Sequence, residues 1–150
     1  MTQVGVKDFF ETMARSFMAG EYEAVASTHV YPGAVYIDGE VIVLADDAAF
    51  LRQIKDQCRK NYEMGVRRVK SHVVAQSLSR ANNYSVWVMW QHFGAGGELL
   101  STTNARYICR DNALGAPQIQ LVEFIDVPAC YSAADLERMT ALPHRTRGTG

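Results

Sequence analysis

A chain of 150 residues is long enough for one domain with a core of its own, and 48% hydrophobic against 21% charged residues excludes a disordered chain. The formal net charge of −1 offers no global field for nucleic acid or an anionic membrane. No apolar run approaches the ~20 residues that span a bilayer.

Val6, Phe10, Met13 and Phe17 recur at helical spacing, and Gly20 follows as a stop. Glu21–Thr28 reads as a short second helix carrying Tyr22, Val25 and Ala26, before Pro32-Gly33 breaks the chain. Ala34–Ile37 and Val41–Leu44 are β-rich. Asp38-Gly39 between them marks a tight hairpin, because such a turn needs positive φ. Asp46 or Asp47 caps a third helix, in which Phe50, Ile54, Cys58 and Tyr62 fall four residues apart until Gly65 ends it.

Four long strand-like runs follow: Val66–Leu78, Tyr84–Phe93, Leu99–Arg110 and Gln118–Val127. In the first, Val69, Val73 and Ala75 form the parity expected to face the core. Tyr84–Phe93 is apolar on both parities, so it is covered on both faces. Helices supply one cover; too few remain for the other, which points to a homodimer through the outer face of the sheet. Trp90 and Trp87 then divide between the interior and the partner subunit. After Pro128, Ser132 and Asp135 form a capping box that starts a helix to Leu142, and Pro143–Gly150 reads as a frayed polar tail.

This order describes an α+β domain. A curved mixed or antiparallel sheet forms a cone around three helices from the N-terminal half, over residues 1–128, with a C-terminal extension at 129–150. The opening residues lack the apolar stretch of a secretory signal. Cys58, Cys109 and Cys130 are odd in number and widely spaced, which is no disulfide framework, so a reducing cytoplasm is the expected location.

The α-α-β-β-α-β-β-β-β order over Val6 to Pro128 resembles the NTF2-like superfamily, with its cystatin-like roll, in the SnoaL-like, ketosteroid-isomerase-like branch. The segment from Tyr31 to Gly39 resembles the family's entry into its first strand, and Leu121 to Asp126 its closing strand. The resemblance implies a pocket for a small apolar organic molecule. By position it implies Tyr36 and Asp38 as first-strand pocket residues and Glu123 as an inward carboxylate. The epoxide-hydrolase type also needs an Arg and an Asp spaced by one on a middle strand, and the isomerase type a middle-strand acid. Tyr84–Phe93 contains neither, which disfavours both mechanisms.

Glu123 shares parity with Leu121 and Ile125. A carboxylate among such neighbours loses solvation and becomes a usable proton acceptor near neutrality, with Asp38 as an alternative base and Tyr36 as donor. The competing readings are an outer-face Glu123 paired with Arg106 or Arg110, a turn role for Asp38 and packing for Tyr36. Phe17, Tyr22 and Trp90 are expected to line the cavity, with Leu121 and Ile125 as walls and His92 at the rim.

His29, His72, His92 and His144 show no ligand spacing, so no metal or cofactor is expected. Arg67-Arg68-x-Lys70 is a basic cluster without interleaved aromatics, so no nucleic-acid partner is expected either. Two functions remain open: a small acid–base enzyme (isomerase, cyclase, dehydratase or hydrolase type), or a non-catalytic ligand-binding or dimerisation module.

Overall fold

A computed structural model describes residues 5–140. Helix α1 (Val6–Ala19) turns out through Gly20 at φ 72° and meets α2 (Tyr22–Ala26). Strands β1 (His29–Ile37) and β2 (Glu40–Leu44) form the hairpin around Asp38 (φ 50°) and Gly39 (φ 77°). The Asp46 side chain accepts from the Ala49 amide at 2.9 Å and opens α3 (Asp47–Glu63). Then come β3 (Arg68–Gln76), β4 (Tyr84–Phe93), β5 (Leu99–Asp111), β6 (Pro117–Phe124) and α4 (Ala133–Thr140).

The strands make one six-stranded sheet in the order β2-β1-β6-β5-β4-β3. Every pairing is antiparallel except β1 with β6, so the sheet is mixed. It is curved and not closed, and α1, α2 and α3 fill its inner face around Phe10, which is fully buried beside Val86, Val88 and Cys109. Burial of each such large side chain stabilises the fold by roughly 1.5–3 kcal/mol.

Two details differ from the sequence pattern. Strand β1 begins at His29 and passes through Pro32-Gly33, because the irregular register between His29 and Ala34 absorbs both residues without ending the strand. In β3 the ladder skips Val74, so Val73 pairs with Val88 on the inner face while Ala75 pairs with Trp87 on the outer one. A bulge of one residue inverts the parity beyond it, which removes Ala75 from the core.

The segment after β6 returns to the domain. Tyr131 is buried in the core, and Leu136 and Met139 pack against it. The capping box forms as Ser132 and Asp135 exchange bonds: the Ser132 amide donates to Oδ2 at 2.8 Å and the Asp135 amide to Oγ at 3.1 Å. Asp135 also accepts from Lys60 of α3 at 2.8 Å and from Arg138. The expected helix end at Leu142, the tail and His144 lie outside the described residues.

Candidate functional site

The cavity lies between α1, α3 and the inner face of the sheet, where packing leaves a gap. Helix α1 brings Met13 and Phe17, four residues apart and so on one face; α3 brings Phe50, Ile54 and Cys58 by the same logic. The sheet supplies Val35 and Val122 from the central strands, and alternate inward residues of β4 and β5 complete the floor. The cavity volume is about 100 Å³. Partly exposed Gln53, Gln57 and Asn61 of α3 also line it.

Five polar side chains reach this space from the sheet. Trp90 Nε1 donates to the Tyr107 hydroxyl at 2.8 Å, and burial pushes that phenol upward in pKa, so it stays protonated. The Tyr107 oxygen is therefore an acceptor whose own hydrogen is uncommitted. Thr103 and His92 are both buried, and neither Thr103 Oγ1 nor His92 Nδ1 finds a partner in the protein. His29 Nδ1 lies 3.0 Å from the Val25 carbonyl. A carbonyl only accepts, so Nδ1 carries the hydrogen and Nε2 is the bare acceptor. The His29 ring lies 4.3 Å from Phe50, and desolvation lowers its pKa to about 4 against the opposing pull of Val25. Burial also lowers His92, against the opposing pull of a hydrogen bond to the Ser101 backbone.

Of the residues expected at the site, Phe17, Trp90 and His92 line the cavity together. Tyr22 stands behind the wall, hydrogen-bonded to the cavity residue Cys58. Glu123, Leu121 and Ile125 lie outside. The β5–β6 ladder skips Gln120: Cys109 pairs with Ile119 on the inner face, and Ile108 with Leu121 on the outer. Every later residue changes sides, so Val122 and Phe124 face the cavity while Glu123 turns outward to accept from Arg106 Nε at 2.8 Å. Tyr36 sits beside Glu123 in the β1–β6 register and is 41% exposed. Asp38 is a left-handed turn residue at the hairpin tip, exposed and off the cavity walls.

The sequence pattern does not bring His29, Thr103, Tyr107 or the α3 amides to the site. A signal for two of them exists. Arg106 and Arg110 share one parity of β5, which assigns that parity to solvent and leaves Thr103 and Tyr107 inside.

Among the described residues no group of three His, Cys, Asp or Glu side chains is placed to hold a metal ion, and no helix is long and apolar enough to cross a membrane.

With this geometry the chain has the NTF2-like, cystatin-like fold, which solved structures share. An NTF2-like protein of unknown function from Shewanella oneidensis superposes with a TM-score of 0.61 at 9% identity, over 78% of this chain and 93% of that one. An NTF2-like protein with a cystatin-like fold from Novosphingobium aromaticivorans gives 0.60 at 15% identity, over 87% and 84%. A Catenulispora acidiphila structure in complex with S-DNPA gives 0.58 at 12% identity, over 79% and 90%. No family model and no curated relative matches the sequence.

Proposed function

We propose that this protein is a small-molecule-binding domain whose ligand enters the cone between α1, α3 and the inner face of β4 and β5. The observation that carries the reading is the pair of buried polar atoms, Thr103 Oγ1 and His92 Nδ1, unpartnered within the protein and set in the wall of a cavity. Such atoms cost free energy unless a group from outside the chain, ligand or water, satisfies them. The ligand-bound Catenulispora structure supports the same use of the fold. The acid–base chemistry expected from Glu123, Asp38 and Tyr36 draws no support from the geometry, since among the described residues no carboxylate lines the cavity. The binding reading is therefore favoured over turnover.

The second part of the proposal is a homodimer through the outer face. Trp87, Met89, Ile108 and Leu121 lie on it, with Tyr36, Val41, Val43 and Ile125 more exposed around them. These are large apolar side chains on one face, with the Arg106–Glu123 ion pair and Asn104 among them. A fragment screen read by backbone amide shifts tests the first part: hits should move Trp90, His92 and Thr103. A screen without such shifts rejects it. Sedimentation analysis tests the second, a two-chain mass being expected.

A further inference from the structure

Given that the cone binds a small molecule, the premise of the proposed function, its walls also select the kind. First, they are uncharged: among the described residues no Asp, Glu, Lys or Arg lines the cavity. Both lining histidines are lowered by burial and neutral at pH 7. An ionised ligand would lose its hydration here with no counter-charge to replace it.

Second, three of the polar groups on the sheet lie close together. Trp90 pairs with Thr103 and His92 with Ser101, so Thr103 and His92 are diagonal neighbours on one face of β4 and β5. Tyr107 lies on that same face of β5 and has a hydrogen to donate. Phe17, Phe50 and Val122 supply apolar wall beside them, with the α3 amides further along.

Third, the volume of about 100 Å³ is of the order of the ~150 Å³ of an engineered cavity that holds benzene. The space is partly open, so a single ring fits with its free edge toward the partly exposed α3 amides.

We infer that the cavity selects an uncharged single-ring molecule with one hydroxyl or carbonyl oxygen, seated oxygen-first between Thr103, His92 and Tyr107. The amphiphilic ligand matches an amphiphilic hole: the oxygen satisfies the atoms that the fold leaves unpaired, and the ring replaces contacts that the helices do not make.

The test uses the full chain and four probes, with dissociation constants taken from amide and indole shifts. Phenol should bind about tenfold more tightly than toluene, the effect of one satisfied hydrogen bond. Benzoate should bind at least about tenfold more weakly than phenol, and 1-naphthol more weakly than phenol by its size. Thr103→Val keeps the shape and removes the unpaired hydroxyl. It should shrink the phenol-over-toluene ratio by about threefold or more without lowering Tm.

Equal phenol and toluene affinity in the natural chain overturns the inference while leaving the binding reading intact, and that ratio stands even if the variant fails to fold. Benzoate binding as tight as phenol overturns it too. Failure of all four probes overturns it, and the broader fragment screen then decides the binding reading separately.

Discussion

The two faces of one sheet divide the chemistry of this molecule. On the inner face of β4 and β5, Tyr84, Val86, Val88 and Trp90 lead to His92, and Cys109, Tyr107 and Ala105 lead to Thr103. Packing is complete at one end and gives way to a cavity with unpaired polar atoms at the other. On the outer face the same strands carry Trp87, Met89, Arg106 and Ile108, half-buried. The inner face turns its polar groups toward something small that enters. The outer face offers area, with the Arg106–Glu123 ion pair at its centre. A single strand serves both because its side chains alternate, so one residue of register decides which surface a group belongs to.

Breaking the inner face should have the largest effect. Val86 is fully buried, and Val86→Asp places a charge without a partner in the core. A cost above ~4 kcal/mol, most of a domain's stability, is expected, and urea unfolding reads it. Trp87→Lys, one residue along, should leave the fold cooperative and abolish the proposed dimer, measured as a fall from two-chain to one-chain mass by sedimentation. If Trp87→Lys unfolds the chain as Val86→Asp does, the division between faces is wrong.

A pH series sharpens the same contrast on the cavity side. His29 has its pKa lowered from 6.5 to about 4, so the unfolded chain binds more protons between those values. Stability should therefore rise with pH across that window and fall as pH drops from 6.5 toward 4, on the order of 2 kcal/mol from this residue. His29→Gln should flatten that slope in thermal melts taken from pH 7 to pH 4.

The smallest effect belongs to the outer ion pair. Arg106 and Glu123 keep 34% and 40% of their side-chain surface exposed, so Glu123→Gln should cost ~1 kcal/mol or less and leave ligand affinity unchanged. A loss of binding in that variant would return Glu123 to the site.

Much of the fold is legible in the residues. Helical spacing from Val6 to Phe17, the Asp38-Gly39 turn and the Ser132–Asp135 box each have a local physical cause, and each is in place. The inner parity of β4 is legible in part, since Trp90 and His92 go inside together. The site is less legible because bulges carry no mark in this chain. Gln120 sits in an apolar run where both parities look alike, and skipping it sends Leu121, Glu123 and Ile125 outward as a set. Val74 does the same to Ala75 in β3. Resemblance to a segment puts Tyr36 and Asp38 in the pocket, but Val35 and Ile37 are the residues of β1 that the core buries.

The most direct measurement is a set of nuclear Overhauser contacts from bound phenol to the methyl groups and rings of the protein. Contacts to the Thr103 methyl, the Trp90 indole and Phe17 are expected, with none to Leu121, Ile125 or Tyr36. Contacts to that second group, or saturable binding with no contact to Thr103 and Trp90, would contradict a ligand site on the inner face.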